Sequence, residues 1–130
     1  MSKKVLVVDD DPDVRTFIVT VLEENNFLPI VAHDGVEALQ KIKEETPDLV
    51  TLDVLMPRGS GIRLYRTLKT DPSFKNIPVI MLTGIALRSF LKSQKTLSEF
   101  QGEKIPVPDF YLEKPVEPDE LIDAINQSLN

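Results

Sequence analysis

VLVVDDDPDVRTFIVTVLEENN, residues 5–26, is the stretch that decides the fold. Four consecutive branched apolar residues read as a strand buried on both faces. Three aspartates follow at once, and Pro12 suits the first turn of a helix. Val14, Phe17, Ile18, Val21 and Leu22 then recur at i, i+3, i+4, i+7 and i+8, which makes one apolar stripe. Asn25-Asn26 suits its end. The segment is one strand–turn–helix unit.

The same unit repeats outward. Further short apolar runs lie at 28–32 (LPIVA), 49–53 (LVTLD), 77–82 (IPVIML) and 110–112 (FYL). Amphipathic stretches lie between them at 36–46, stopped by Pro47, at 61–70, stopped by Asp71-Pro72, and at 86–100. A last one begins near Pro118 and turns Leu121, Ile122, Ile125 and Leu129 inward. Five strand–helix repeats predict a five-stranded parallel sheet, an α/β sandwich of three layers. Right-handed crossovers make it doubly wound. One domain over 1–130 is expected, with its first strand from about residue 4 and its last helix at about 118–129.

Composition narrows the chemistry. The 130 residues hold no cysteine and one histidine, so disulfides, thiolate zinc and multi-histidine metal sites are excluded. The net charge of −6 argues against direct nucleic-acid contact, which needs cations facing phosphates. No run approaches the roughly 18 apolar residues of a membrane span. The acids directly after the first short apolar run do not fit a signal peptide, so a cytoplasmic location is expected.

In such a sheet, ligands bind at the carboxyl ends of the strands. Asp9, Asp10 and Asp11 follow the first strand, Asp53 the third, Thr83-Gly84 the fourth and Lys114-Pro115 the fifth. Two carboxylates about 5 Å apart repel by ~3 kcal/mol at an effective dielectric of 20. A cluster of three therefore calls for a cation. Oxygen-only donors suit a hard ion, Mg2+ or Mn2+. Such an ion beside a carboxylate, a lysine and a hydroxyl can hold a phosphoryl group, and aspartate can accept one covalently.

The segments VLVVDDDPDVR (5–15), DLVTLDVLMPRGSG (48–61), IPVIMLTG (77–84) and YLEKP (111–115) resemble, in order, those of receiver domains of two-component response regulators. The resemblance covers nearly the whole chain. It implies a flavodoxin-like fold with Asp53 as phosphoacceptor. Asp9, Asp10, Asp53 and the Leu55 backbone carbonyl would hold the metal. Thr83 would be the switch hydroxyl, Lys114 the ion-pair partner before a cis-Pro115, and Tyr111 a switching aromatic. It further implies a signalling switch rather than a metabolic enzyme. A sensor histidine kinase or histidine phosphotransfer protein would be the donor. An output domain or partner would dock on the fourth-helix/fifth-strand face, with a homodimer as a further option. Two alternatives stand beside it. One is a haloacid-dehalogenase-type Mg2+-dependent phosphatase, whose nucleophile would instead follow the first strand. The other is a binding module that works without phosphorylation.

Plainer roles are weighed beside these. Asp11 caps the helix that starts at Pro12. Asp9-x-Asp11-x-Asp13 mimics a calcium loop, but Val14 and Thr20 stand where that loop needs glycine and glutamate. His33 reads as an uninvolved loop residue, and Gly61 as a position of positive φ. Two departures from the family pattern remain. The 31 positions from Thr83 to Lys114 exceed the usual spacing, with an eight-residue connector at 101–108 that is expected to retune partner choice or dimer geometry. Leu55 and Ile85 flank the expected phosphoryl position without a polar group to guide water, which predicts a long-lived aspartyl phosphate.

Overall fold

The computed structural model describes residues 2–57, 60–90, 92 and 108–130. Alternation along the strands builds the core. In β1 (Lys4–Val8), Leu6 and Val8 face one side while Val5 and Val7 face the other. All four are buried. The strands β2 (Leu28–Ala32), β3 (Leu49–Leu52), β4 (Val79–Thr83) and β5 (Phe110–Glu113) join it in one parallel sheet of order β2-β1-β3-β4-β5.

Helices cover both faces, as the strand pattern requires. On one face α2 (Gly35–Glu45) and α3 (Ser60–Thr70) pack Ala38, Ile42, Leu64, Tyr65 and Leu68 against Leu6, Val50, Leu52 and Met81. On the other, α1 (Pro12–Glu24) and the C-terminal helix (Pro118–Leu129) pack Ile18, Leu22, Leu121 and Ile125 against Val5, Val7, Leu49 and Ile80. The three-layer sandwich is the architecture the sequence predicts.

Local chemistry sets the ends of the elements. The Asp11 side chain accepts from the Asp13 and Val14 amides at the start of α1. Its role is therefore the cap expected of it. Asp34 caps α2 in the same way, and Thr46 closes that helix in the left-handed region at φ 48° before Pro47. Gly61 corrects an expectation. It lies in the first turn of α3, and its φ is not in the left-handed region. What demands glycine there is space: a Cβ would stand 2.5 Å from the Asp53 carbonyl oxygen and 2.7 Å from Val54 Cα. The expected fourth helix is described only at 87–90 and at 92. Most of 86–100 and the connector at 101–108, except Pro108, lie outside the described residues.

Candidate functional site

The chain runs from β1 outward to β2, then returns past β1 to β3. The sheet thus has its switch point between β1 and β3, where helices leave in opposite directions and open a crevice. Register decides what lines it. Val8 pairs with Leu52, so the next residues, Asp9 and Asp53, sit side by side, and the Asp53 amide donates to the Val8 carbonyl at 3.0 Å. Thr83 pairs with Glu113, and the Lys114 amide donates to the Thr83 carbonyl at 2.8 Å.

Five sequence-predicted residues come together on this rim. The Lys114 ammonium donates to Asp9 Oδ2 at 2.9 Å and to Asp53 Oδ2 at 3.0 Å. Asp9 and Asp53 are both buried, while Asp10 is exposed. One carboxylate oxygen from each of Asp9, Asp10 and Asp53 lies within 4.8 Å of the others. The Thr83 hydroxyl is fully buried at the end of β4 and accepts from the Ile85 amide at 3.4 Å. The peptide between Lys114 and Pro115 is cis, as expected.

The carboxylates differ in what they have left to offer. Asp9 Oδ1 accepts from the Asp11 amide at 2.9 Å, and Oδ2 takes Lys114. Asp53 Oδ1 accepts from the Leu55 amide at 2.8 Å, and Oδ2 also takes Lys114. The Asp10 side chain takes no hydrogen bond or ion pair from any described residue. Burial pushes the Asp9 carboxyl above its ordinary range and the Asp53 charge adds to this. The Asp11 amide and Lys114 oppose the shift without cancelling it. For Lys114, burial acts to lower the pKa, but the bonds to Asp9 and Asp53 outweigh it and hold the ammonium protonated. Three hard oxygen donors from one cluster fit a small divalent cation.

Tyr111 stands half-buried beside this group. Its hydroxyl donates to the Ile85 carbonyl, and its ring lies 5.4 Å from that of Phe90. Phe90 in turn meets Tyr65 edge-on at 6.3 Å. Leu55 is 55% exposed, and its Cδ1 lies 3.9 Å from where a Gly84 Cβ would stand, so it reaches across from β3 towards β4. His33 is exposed and departs from its uninvolved reading only in pairing with Glu37 at 2.9 Å and Asp34 at 3.4 Å.

Sequence reasoning missed two groups. Arg15 Nη1 donates to the Asp9 carbonyl at 2.7 Å. The Glu113 carboxylate accepts from the Leu87 amide at 3.0 Å, tying β5 to the segment after β4. An arginine six residues past the first acid was a usable signal for Arg15. Glu113 carried none, because its partner is 26 positions away.

Fold and site together define a parallel α/β protein with a cation-ready acidic crevice beside a lysine. The chain belongs to the response regulator receiver domain family, whose profile matches residues 5–126. Among relatives, the phosphate regulon transcriptional regulatory protein PhoB of Escherichia coli K12 is 34% identical over 125 residues, 96% of this chain and 51% of that protein. The DNA-binding response regulator MtrA of Mycolicibacterium smegmatis is 33% identical over 129 residues, 99% of this chain and 51% of that protein. This chain thus spans about half the length of the curated relatives it matches. Among solved structures, the Vibrio cholerae chemotaxis protein CheY4 overlays with a TM-score of 0.83 at 26% identity, covering 99% of this chain and 100% of that one. The receiver domain of Francisella response regulator 1452 gives 0.79 at 35%, covering 98% and 97%.

The fold is the flavodoxin-like fold of receivers, and the function is that of a receiver domain in two-component signalling. Receivers are signalling switches that work with histidine kinases and output domains. Neither the phosphatase nor the phosphorylation-independent alternative is favoured. Among the described residues, no helix is long and apolar enough to cross a membrane.

Proposed function

We propose that Asp53 accepts a phosphoryl group from a sensor histidine kinase or a histidine phosphotransfer protein, and that the chain acts as a cytoplasmic switch. The observation that carries this is the Lys114 ammonium held by Asp9 and Asp53 at 2.9 and 3.0 Å, with Asp10 completing the carboxylate cluster. Asp9, Asp10, Asp53 and the Leu55 carbonyl would hold Mg2+ or Mn2+. When bound, the ion neutralises charge on the phosphoryl oxygens.

The chain's own residues do the rest. An Asp53 oxygen attacks phosphorus, and a P–O bond forms as the donor's P–N bond breaks. The histidine nitrogen keeps the electron pair and takes up a proton from solvent as needed. Lys114 exchanges part of its contact with the carboxylates for a phosphoryl oxygen. The Thr83 hydroxyl donates to another, which draws the end of β4 towards Asp53. Tyr111 then repacks beside the vacated space. The population shifts to a state whose fourth-helix/fifth-strand face fits an output domain, a partner or a second copy.

The test is incubation with a small-molecule phosphodonor and Mg2+, followed by mass spectrometry. One added phosphoryl group is expected, absent in Asp53→Asn. Equal labelling of that variant, or no labelling of the natural chain, overturns the reading.

A further inference from the structure

Asp10 is the carboxylate with open oxygens, yet no side-chain bond from a described residue sets its direction. Its aim is decided by its backbone. The peptide on its N-terminal side is held at the Asp9 carbonyl, which accepts from Arg15 Nη1 at 2.7 Å. Helical side chains lean towards the helix N-terminus, so an arginine at the fourth position of α1 reaches back over this turn. The backbone amide of the same residue donates to the Asp11 carbonyl at 3.0 Å. Arg15 therefore grips the chain on both sides of Asp10. Its guanidinium is half-buried and forms no ion pair with any described residue. An arginine with no carboxylate partner among the described residues, bonded instead to the backbone of one of the three clustered acids, points to a task at the peptide it holds.

We infer that Arg15 is a positioning residue: it fixes the Asp9–Asp10 peptide and thereby aims the Asp10 carboxylate at the divalent-ion site. The inference rests on the metal reading given above. It makes a prediction whose sign separates it from a purely electrostatic role. Removing a positive charge near a cation site, with nothing else altered, tightens cation binding. Releasing the peptide loosens Asp10 and weakens binding, because the ligand must be ordered when the ion arrives.

The experiment measures Mn2+ affinity of the full chain by electron paramagnetic resonance of the free ion. The natural chain is compared with Arg15→Met, which keeps length but has no donor, and Arg15→Lys, which can still donate to the Asp9 carbonyl. Melting curves without metal confirm that each is folded. Arg15→Met is expected to bind Mn2+ about tenfold more weakly, a difference of about 1.4 kcal/mol. Arg15→Lys is expected to recover most of that loss. Unchanged or tighter binding by folded Arg15→Met overturns the inference while leaving the metal site standing. If the natural chain binds no Mn2+, the metal reading itself falls and takes this inference with it.

Discussion

Gly61 rests directly on the backbone of Asp53: a methyl group there would lie 2.5 Å from the Asp53 carbonyl oxygen. The first turn of α3 thus serves as the floor of the loop that presents the proposed acceptor. The obstacle is backbone on both sides, so a flexible side chain cannot swing away to make room. Gly61→Ala is expected to destabilise the fold by about 1–3 kcal/mol, the usual range for overpacking. Moving Asp53 away from Lys114 should also slow labelling by a small phosphodonor. Urea denaturation and a labelling time course check both effects. Natural stability and rate in this variant would show that the loop yields freely.

Asp10→Asn should act in opposite directions with and without metal. It removes one of three clustered charges, and Asp10 is exposed, so screening leaves a gain of about 1 kcal/mol in metal-free buffer. It also removes the carboxylate with open oxygens, so Mg2+ should no longer raise the melting temperature. Melting curves with and without Mg2+ read both halves. An unchanged Mg2+ effect would remove Asp10 from the ligand set.

Leu55 and Ile85 bear on how long a phosphoryl group stays. Leu55 leans towards Gly84, and half-buried Ile85 packs on the α2–α3 face of the core. Neither side chain can hydrogen-bond an attacking water. Replacing the pair with asparagine and arginine is expected to speed loss of the phosphoryl group about tenfold, within the range for a group that orients the nucleophile. Fast loss from the natural chain, unaltered in the double variant, would contradict this.

Thr51 carries a buried hydroxyl with no hydrogen-bond partner among the described residues. It sits in β3 between Val7 and Ile80 in register, two positions before Asp53. An unpartnered buried hydroxyl costs about 1–3 kcal/mol. Thr51→Val keeps the shape and should stabilise the fold by about 1 kcal/mol in urea denaturation. A loss of stability would point to a partner for the hydroxyl.

Much of this was legible in the residues. Strands buried on both faces announce themselves as unbroken runs, and β1 could be read from Val5 to Val8 without knowing its neighbours. Asp9, Asp53 and Lys114 were legible because strand ends converge in any doubly wound sheet. The reason for Gly61 was not legible, since what excludes a side chain there is backbone eight residues earlier, met only after folding. Thr51 looked like an ordinary strand residue, because a missing hydrogen bond is a property of its surroundings. Arg15 was only partly legible: its spacing of six from Asp9 is there in the sequence, but its partner is a backbone carbonyl, which no residue type records.

The two tyrosines give a last test, in alkaline solution. Unfolded tyrosines lose their protons near pH 10. Burial, with Glu113 and Asp53 adding to it, pushes the Tyr111 hydroxyl up to about 12. Burial and Asp109 raise Tyr65 as well. Above pH 10 the folded chain therefore keeps protons that the unfolded chain has released, and stability falls as pH rises. Lys114 acts in the same direction. Its pKa is raised in the folded state, so its contribution is complete at neutral pH and is lost as pH climbs through the folded value. Absorbance titration of the folded chain should show no tyrosinate step near 10, because the sequence holds only these two tyrosines. In Tyr111→Phe, the fall of stability between pH 10 and 12 should lessen by up to one proton's worth. A step of one full tyrosine near pH 10 in the natural chain, abolished by Tyr111→Phe, would mean that the ring is free of Ile85 and already turned to solvent.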